Sequence, residues 1–548
     1  MFWARHLRNT LGVFPRSAAR RFAARYVREA SDSRAAAART LHRLIDLNGD
    51  ARRWRRLKTE TLRVPADLRR LPVTTYEDYR DDVAAETRGE RGTLLGVDNP
   101  PLMFSRSSGT TGEPKLIPVT RAFVDDYRRG WRVWGIGAID DHPGISLGTI
   151  MQLTSDHAAE RTPAGIPVGQ ISGLVAAMQG PVIRSMMTLP PGLAKVADPD
   201  EKLALTVRLA AADRHVRLIA TANPGTLTRL AKAIADDAAG IVRGLRDGFR
   251  TAGIGLRPRP RRARQLDRAL ERGGTLTPRD LWPDLALLGV WTGGCAALYR
   301  PLLERDYAPP AVRDHGLHAS EGRMTIPLAS GKPAGLLDVH AHVFEFIPVA
   351  EHGSAAPIVL APDELEAGGE YFILLTTSSG FVRYDIGDVV RCVGFRGTTP
   401  LLEFLHKGQH VFSFTGEKVT ESQVARAAAD VVEKLNVAPA RFVVVPEWGE
   451  PPRYRLLSDD TDRTSAATRA AAFEKALRSL NPEYDEKRAT GRLRPLAAAP
   501  VGPDGWPTVE TLIQQTSETP AEQRKPRALL SDQSFLERLN RPTEPVAA

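Results

Sequence analysis

The chain has 548 residues, a length that usually divides into two or more domains, and its 42% hydrophobic and 26% charged residues are ordinary for a globular protein with a real core. The formal net charge of +10 suits anionic small-molecule substrates, but the basic residues are not interleaved with aromatic side chains, which argues against a nucleic-acid partner. The two cysteines exclude a disulfide framework and favour a reducing compartment, so we expect a cytoplasmic protein.

The N-terminal region is rich in alanine and arginine, and the periodicity of its apolar residues from Ala18 to Leu57 predicts helices. The arginine-rich run to about Arg28 resembles a transit-type or membrane-surface helix; the alternative, which we favour, is a solvated helix that packs on the main domain. The longest uncharged stretch, from Thr162 to Ile183, is long enough to span a bilayer but contains several prolines and glutamines. We therefore expect no membrane span.

The most informative stretch runs from Ser105 to Thr120 and reads S-R-S-S-G-T-T-G-E-P-K-L-I-P-V-T. Backbone N–H groups exposed by the glycines, the hydroxyls and the lysine can converge on a polyphosphate. The lysine does not follow the second glycine directly, so this is not the common nucleoside-triphosphatase loop; a mobile polar turn is the plain alternative. The candidate phosphate-binding residues are Ser107, Ser108, Gly109, Thr110, Thr111, Gly112 and Lys115.

The flanks of this loop predict a strand over Pro101 to Phe104 and a helix from Thr120 to Trp134. Strand, anion loop and helix, in this order, place a phosphate at the edge of a sheet. The aromatic residues Tyr127, Trp131 and Trp134 share one face of the predicted helix. That face belongs to the core or lines an acyl pocket.

The middle of the chain alternates helical and apolar segments, and Leu285 to Thr292 is typical of a buried parallel strand. Gly293 and Gly294 follow, where a flat base could approach the backbone. Thr292 and these glycines resemble the segment against which adenine lies in the adenylate-forming superfamily, which makes them adenine candidates, although a plain tight turn fits equally well. Ser320 and Glu321 come next. A carboxylate can bind magnesium and a hydroxyl can contact phosphate.

A second informative stretch, R-Y-D-I-G-D, ends at Asp388 and lies between predicted strands over Tyr371 to Thr377 and Val389 to Phe395. A carboxylate beside a glycine turn, with Tyr384 four residues earlier, suits the two hydroxyls of a ribose; a hairpin turn capped by aspartate is the alternative. The segment Val339 to Val349 alternates strictly between apolar and polar residues and predicts a half-exposed strand.

Beyond Gly408 the sequence pattern predicts a helix, two strands, a long helix and a strand. This set of elements is compact enough to form a domain of its own. We place the boundary so that residues 1–407 form a large N-terminal domain and residues 408–548 a small C-terminal domain. The predicted fold class is α/β, with mixed or parallel sheets and flanking helices in the large domain and an α+β small domain.

Five segments follow one another along the chain, and their order indicates a family: L-P-V-T-T-Y-E-D-Y, the hydroxyl-rich loop, A-S-E-G, R-Y-D-I-G-D and G-E-K-V-T-E-S-Q-V. In this order, and over nearly the whole chain, they resemble the acyl-acid amido synthetases of the adenylate-forming superfamily, the bacterial relatives of the plant Gretchen Hagen proteins that conjugate auxin and jasmonate. The resemblance implies a reaction of ATP with a carboxylic acid to give an acyl-adenylate and pyrophosphate. An amino acid or another amine then attacks, which gives an amide and AMP.

The resemblance also implies roles for individual residues, with Mg²⁺ as the metal cofactor. Glu321 would serve magnesium, Asp388 would bind ribose, and Lys525 would stabilise charge during adenylation. The small domain would rotate about a hinge near Lys407 and Gly408. The implied catalytic residues are Lys525 and Glu321, and the implied nucleotide-binding residues beyond the loop are Thr292, Gly293, Gly294, Ser320, Glu321, Tyr384, Asp388 and Lys407.

The sequence departs from the family pattern in three places. Leu317 and Ala319 replace the tyrosine and the first serine of Y-x-S-S-E, Asp385 replaces the arginine of Y-R-x-G-D, and the segment around Lys525 is one residue shorter. Two rival hypotheses stay open: a ligase that forms a thioester with coenzyme A or a carrier protein, and a homologue that binds nucleotide without catalysis.

Overall fold

The computed structural model describes residues 13–107, 115–251, 253–307, 310–408, 411–414, 417, 419–515 and 527–540. Two compact units are distinguished. The first contains the described residues up to Gly293 together with Leu303–Phe404, and the second contains Gly294–Leu302 and the described residues from Leu405 onward.

Helices dominate the first half of the chain. The α-helices up to residue 307 are α1 Val13–Ala30, α2 Ser33–Asn48, α3 Arg52–Arg56, α4 Arg80–Thr87, α5 Arg121–Asp141, α6 Ile171–Ala177, α7 Pro181–Arg184, α8 Pro199–Ala211, α9 Pro224–Asp236, α10 Ala238–Asp247, α11 Pro260–Gly273, α12 Pro278–Leu281 and α13 Arg300–Tyr307. Short 3-10 helices lie at Thr59–Thr61, Pro65–Arg70, Tyr76–Tyr79, Pro143–Leu147, Pro191–Lys195, Gly294–Tyr299, Val349–Glu351 and Pro362–Glu364.

The strands up to residue 407 are β1 Pro101–Ser107, β2 Lys115–Thr120, β3 Thr149–Gln152, β4 Glu160–Arg161, β5 Pro167–Gly169, β6 Val216–Ala220, β7 Phe249–Thr251, β8 Ile254–Leu256, β9 Leu287–Gly289, β10 Ala311–Arg313, β11 His318–Ala319, β12 Gly322–Arg323, β13 Thr325–Ile326, β14 Gly335–Leu337, β15 Val343–Pro348, β16 Glu370–Thr376, β17 Tyr384–Arg396 and β18 Thr399–Lys407. They form a mixed sheet ordered β2-β1-β5-β4, a parallel sheet ordered β10-β9-β6-β3 and a sheet ordered β13-β14-β18-β17-β16-β15. Helices cover these sheets, so the predicted α/β class is confirmed.

The parallel sheet carries a large apolar core. Leu288 of β9 and Ile219 of β6 are fully buried in this core, to which helices α9 and α10 contribute Leu230 and Ile241. This arrangement confirms the predicted buried parallel strand, although β9 covers only Leu287–Gly289 of the apolar run.

The order predicted around the phosphate loop is wrong in one respect. Residues Lys115–Thr120 form a strand that pairs antiparallel with β1, with Ser107 opposite Lys115. This segment forms a strand because the side chains of Ile117 and Val119, on one face, are buried in the core. Helix α5 therefore begins after β2, where the Thr120 hydroxyl accepts a hydrogen bond from the Phe123 N–H at 3.2 Å. The ends of two paired strands flank residues 108–114.

The strand predicted as half-exposed is buried along most of its length. Val343 packs with residues of helix α2, while Phe344 and Phe346 on the other face pack into the core of the large sheet. The charged residue that suggested exposure, Glu345, is buried beside Arg383, whose Nε donates to Glu345 Oε2 at 2.8 Å. A buried ion pair thus explains a polar position inside a buried strand.

The R-Y-D-I-G-D stretch is not a turn between two strands, because β17 already begins at Tyr384. The pairing of β16 with β17 shifts register between Asp385 and Val389, so a bulge contains Asp388. Gly387 in this bulge has φ +72°, a conformation that favours glycine. Bulges re-aim side chains and are common next to active sites.

The second unit has the predicted order of helix, strand, strand, helix and strand. Its elements are β19 Val411–Phe412, β20 Val419–Thr420, α14 Glu421–Leu435, β21 Phe442–Glu447, β22 Arg453–Ser458, α15 Arg463–Leu480, α16 Pro482–Ala489, β23 Ala497–Pro500, α17 Gly502–Gln515 and α18 Phe535–Leu539. The last strand follows α16 and lies a few residues beyond its predicted place. Thr420 and Gln423 form the predicted capping box at the start of α14.

The N-terminal helix α1 packs on helix α5, as the favoured alternative predicts. Phe22 and Tyr26 join the apolar cluster that contains Trp134, and Arg20 forms an ion pair with Asp140 of α5 at 2.6 Å. Among the described residues, no helix combines the length and the apolar character that crossing a membrane requires.

Candidate active site

The phosphate-loop strand and the A-S-E-G segment meet in the first unit. Ser105 of β1 donates a hydrogen bond from its hydroxyl to the Ser320 hydroxyl, with 3.1 Å between the oxygens. Ser105 is buried, whereas Ser320 is partly accessible. Because Ser105 donates, the Ser320 proton is available to another acceptor. Ser105 thereby orients a hydroxyl that the sequence assigned to nucleotide binding.

Ser320 and Glu321 form the turn of a short hairpin. Strands β11 and β12 pair antiparallel, with His318 opposite Arg323 and Ala319 opposite Gly322. Gly322 has φ +155°, and a Cβ atom there would lie 2.1 Å from Nε2 of the buried His342. Only glycine fits this position, because any side chain would collide with the imidazole. The chain therefore turns tightly enough to present two adjacent polar residues.

Tyr384, 63 residues further along the chain than Glu321, reaches the hairpin turn from the start of β17. Its hydroxyl donates to Glu321 Oε1 at 3.4 Å, and both side chains are buried. Burial and the charge of Glu321 raise the pKa of Tyr384, so that its hydroxyl stays protonated and remains a donor. The R-Y-D-I-G-D and A-S-E-G segments therefore belong to one site.

The L-P-V-T-T-Y-E-D-Y segment holds Tyr384 in place. The Thr74 N–H donates to the Arg383 carbonyl at 3.0 Å, and the Asp385 N–H donates to the Thr74 carbonyl at 2.8 Å. The Tyr79 hydroxyl accepts from the Val382 N–H at 2.9 Å. These bonds fix the backbone on either side of Tyr384.

Tyr76 from the same segment connects the site to Lys115. Its hydroxyl accepts a hydrogen bond from the Leu116 N–H at 2.9 Å, and Lys115 Nζ lies 5.5 Å from the centre of its ring. Burial raises the pKa of Tyr76, and the Glu321 charge acts in the same direction. Tyr76 therefore lies between the start of β2, where Lys115 stands over its ring, and the carboxylate of Glu321, whose charge acts on its hydroxyl.

Asp388 is buried to 1% exposure in the β17 bulge, so a ribose would reach its carboxylate only if the covering groups moved. Asp385, which replaces the family's arginine, accepts from the Gly387 N–H at 2.7 Å and lies 2.7 Å from His352 Nε2. The His352 ring stacks on Phe372 with 3.6 Å between the ring centres. Asp385 thus supports the bulge that carries Asp388.

The adenine candidate Thr292 is held by a buried aspartate. Its N–H and its hydroxyl donate to Asp314 Oδ2 at 2.5 and 2.6 Å. Burial raises the pKa of Asp314 to about 6, against the lowering effect of these hydrogen bonds, so the carboxylate is mostly ionised at neutral pH. Gly293 lies beside Trp291 and Phe404, whose rings are 5.1 Å apart. A flat base could therefore find an aromatic surface here.

The remaining predicted residues lie elsewhere or outside the described part of the chain. Gly294 opens a 3-10 helix and Lys407 ends β18, and both belong to the second unit. Ser107 ends β1, although its side chain is not described. Outside the described residues lie Ser108, Gly109, Thr110, Thr111, Gly112 and Lys525.

Sequence reasoning missed Ser105, Tyr76 and Asp314 as site residues. Ser105 begins the phosphate-loop stretch and Tyr76 lies in the segment used only for the family resemblance, so both had a motif as a signal. Asp314 had none. It reaches Thr292 because β9 and β10 are parallel neighbours, which only the sheet order reveals.

A magnesium ion fits this site if the substrate supplies most of its ligands. The described residues contain no group of three or more His, Cys, Asp or Glu side chains that could hold a metal ion by itself. Magnesium commonly binds one or two carboxylates together with substrate phosphates and water, and Glu321 on the hairpin turn provides one carboxylate.

Comparison with known families covers most of the chain. The GH3 family N-terminal domain matches residues 24–311, the GH3 family central domain residues 335–407 and the GH3 family C-terminal domain residues 420–534. A putative indole-3-acetic acid-amido synthetase GH3.10 from Oryza sativa subsp. japonica is 25% identical over 371 residues, which cover 65% of this chain and 74% of the relative.

Two solved structures share the fold. The AtGH3.15 acyl acid amido synthetase in complex with 2,4-DB matches with a TM-score of 0.80 at 19% identity, covering 96% of this chain and 95% of that chain. A 2-hydroxyisobutyryl-CoA ligase in the postadenylation state, in complex with R3-HIB-AMP, matches with a TM-score of 0.51 at 14% identity, covering 92% and 90%. The fold is therefore that of the adenylate-forming enzymes, and the chain belongs to the GH3 family.

Proposed function

We propose that this protein is an ATP-dependent acyl-acid amido synthetase. It joins a carboxylic acid to the amine of an amino acid, through an acyl-adenylate, and releases pyrophosphate and AMP. The observation that carries this proposal is the contact of Ser105, on the strand that leads into the phosphate-loop sequence, with Ser320, and of Tyr384 with Glu321. The family's named members are amido synthetases.

In the first step a carboxylate oxygen of the acid attacks the α-phosphorus of ATP, and pyrophosphate leaves. The protein accelerates this step by stabilising negative charge on the phosphate, so hydrogen-bond donors and cations matter more than a protein nucleophile. Ser320, oriented by Ser105, donates to a phosphate oxygen, and Lys115 with the hydroxyls of Ser107, Ser108, Thr110 and Thr111 holds the phosphate chain.

Glu321 holds magnesium at the hairpin turn, and Tyr384 orients its carboxylate. When bound, magnesium would neutralise part of the negative charge of the phosphates. Thr292 and Gly293 bind the adenine, and Asp388 binds the ribose after the groups that cover it move. The assignments of Glu321 and Tyr384 rest on their mutual hydrogen bond, and those of Thr292, Gly293 and Asp388 rest on the family resemblance.

In the second step the amine attacks the acyl carbon and AMP leaves. We further propose that Lys525 stabilises charge during adenylation and that residues 408–548 rotate about Lys407 and Gly408 between the steps. Gly109 and Gly112 let the phosphate loop approach its ligand. We retain the cytoplasm as the compartment and expect no nucleic-acid partner.

The test is release of AMP and pyrophosphate from Mg-ATP with a panel of aryl, indolyl and fatty acids, each with and without a mixture of amino acids. We expect release that requires both an acid and an amine, with the amide detected by mass. The Asp388→Ala variant should lose this activity. The matched control Asp140→Ala, which removes an exposed ion pair, should keep it. Turnover only with coenzyme A would favour a thioester ligase, and ATP binding without turnover would favour a non-catalytic homologue.

A further inference from the structure

We propose that Arg323 is a positioning residue that holds the Ser320–Glu321 turn in its working geometry. This inference deepens the proposed function and rests on it. The contacts described for the Arg323 guanidinium are with His315, Thr325, Tyr127 and Trp131, and not with Ser320 or Glu321. It acts by fixing the short hairpin β11–β12, at whose turn the two predicted nucleotide-site residues stand.

The hairpin needs such an anchor because it is very short. Each strand has two residues, and an isolated two-stranded ribbon is marginally stable at best. Arg323 is the last residue of β12 and stands opposite His318. A movement of its backbone would therefore carry Glu321, two residues earlier, along with it.

The buried guanidinium makes several contacts around the base of the hairpin. Its Nη1 donates to the carbonyl oxygens of His315 at 2.7 Å and Thr325 at 3.3 Å. Its carbon lies 4.4 Å from the centre of the Trp131 ring and 5.4 Å from that of Tyr127. Cation–π contacts of a desolvated arginine are strong, and its planar shape suits stacking better than that of lysine.

Helix α5 is shaped to receive this side chain. A Cβ atom at Gly130 would lie 2.3 Å from Arg323 Cδ and 2.9 Å from Nε, so only glycine lets the arginine pass. The same Cβ atom at Gly130 would lie 3.3 Å from Asp338 Oδ2, and Asp338 Oδ1 accepts a hydrogen bond from the Tyr26 hydroxyl. Glycine inside a helix costs about 1 kcal/mol relative to alanine, so its presence at this point has a packing reason.

The same helix face offers a matched control one heptad further on. Arg313 is also fully buried, lies over Trp134, and would collide with a Cβ atom at Gly137. Its guanidinium pairs with Asp141, and its backbone belongs to β10 and not to the hairpin. Loss of Arg313 should therefore destabilise the protein without moving Glu321.

The experiment compares Arg323→Met and Arg323→Lys with Arg313→Met in the full chain. We measure acid-dependent exchange of pyrophosphate into ATP and the thermal unfolding of each variant. For Arg323→Met we expect kcat/KM for Mg-ATP to fall by ~10²-fold, the effect of misplacing a catalytic group by about 1 Å. Arg323→Lys should restore part of the activity, and Arg313→Met should change it little, even at an equal loss of thermal stability.

A second pair of variants tests the same idea with both arginines retained. Gly130→Ala should lower kcat/KM for Mg-ATP, because it displaces Arg323, whereas Gly137→Ala meets only the far end of Arg313 and should have a small effect. The inference is overturned if Arg323→Met keeps the wild-type kcat/KM, or if both methionine variants lose activity in proportion to stability.

Calorimetric binding of Mg-ATP separates this inference from the proposed function. If no acid supports turnover by the wild type but Arg323→Met binds Mg-ATP more weakly than Arg313→Met does, the positioning role stands and amide synthesis fails. Equal binding by both variants overturns the positioning role.

Discussion

Both units carry a buried glutamate inside a family-like segment, and the two glutamates differ in the length of the hydrogen bond that each accepts from a tyrosine. Glu417 of the second unit accepts hydrogen bonds from the Tyr454 hydroxyl at 2.5 Å and the Phe414 N–H at 2.7 Å. The bond that Glu321 of the first unit accepts from Tyr384 is much longer, at 3.4 Å. The short bonds of Glu417 indicate a structural role, because a buried carboxylate that loses its hydrogen bonds is costly, whereas Glu321 is the carboxylate proposed to serve a ligand.

Glu421 of the same G-E-K-V-T-E-S-Q-V segment resembles Glu417 in this respect. Glu421 Oε1 accepts from the Ala528 N–H at 2.7 Å, which ties the chain beyond residue 526 to helix α14. Asn481 Nδ2 donates to the Glu417 carbonyl at 2.8 Å. A segment that helps to identify the family thus performs a structural task in this unit.

The largest expected effect is that of Glu321→Gln, which removes the charge proposed to bind magnesium. Loss of one well-placed electrostatic group typically costs ~10²–10³ in rate. We expect pyrophosphate release to fall by this factor while the thermal unfolding temperature stays close to that of the wild type. Full activity with an unchanged dependence on magnesium concentration would contradict the ligand role.

Glu417→Gln should have the reverse profile. Weakening hydrogen bonds to a fully buried carboxylate costs about 1–3 kcal/mol, so we expect urea to unfold the second unit at a lower concentration. Fluorescence of Trp506, which lies in that unit, reports the transition. If Glu417→Gln keeps its stability but loses adenylation, Glu417 belongs to the chemistry and the contrast with Glu321 fails.

A third buried carboxylate, Asp126 of helix α5, tests whether burial alone governs such groups. Burial raises the pKa of Asp126 to about 7, against the lowering effect of Arg43 and Arg129 and with the help of Asp338. The native state therefore holds a proton that the unfolded chain, with a pKa near 3.8, has already released. Stability should accordingly fall as the pH rises from about 4 to about 7, by at most about 1.4 kcal/mol per pH unit.

Asp126→Asn should remove this part of the pH dependence. The measurement is the free energy of unfolding at several pH values between 4 and 7, for both proteins. The slopes, and not the absolute stabilities, are compared, because the variant also removes the partner of Arg43 and Arg129. Parallel slopes would mean that Asp126 is ionised in the native protein throughout this range.

The smallest effect is expected from Tyr384→Phe. This change removes only the long hydrogen bond to Glu321, worth roughly 0.5–1.5 kcal/mol, so adenylation should fall by less than about tenfold. Tyr454→Phe, the matched change beside Glu417, should affect unfolding more and adenylation less. A larger loss of activity in Tyr384→Phe than in Glu321→Gln would show that Tyr384 contacts the substrate itself.

The sequence alone determined the fold class and the family, and it supplied candidate residues for the site. These follow from local signals: hydroxyls and glycines before Lys115, a capping box at Thr420, and an apolar run around Leu287. Such features can be predicted without the tertiary structure, because helix caps, buried strands and anion loops depend on residues that are close together in the chain.

Tertiary structure decided where those pieces meet. It made Lys115–Thr120 a strand because Ile117 and Val119 could be buried against the core, and it buried Glu345 because Arg383 was available as a partner. It also brought Ser105 to Ser320, Asp314 to Thr292 and Arg323 beneath Trp131. These contacts join residues from separate strands and helices, so they depend on sheet order and helix packing, which no local pattern encodes.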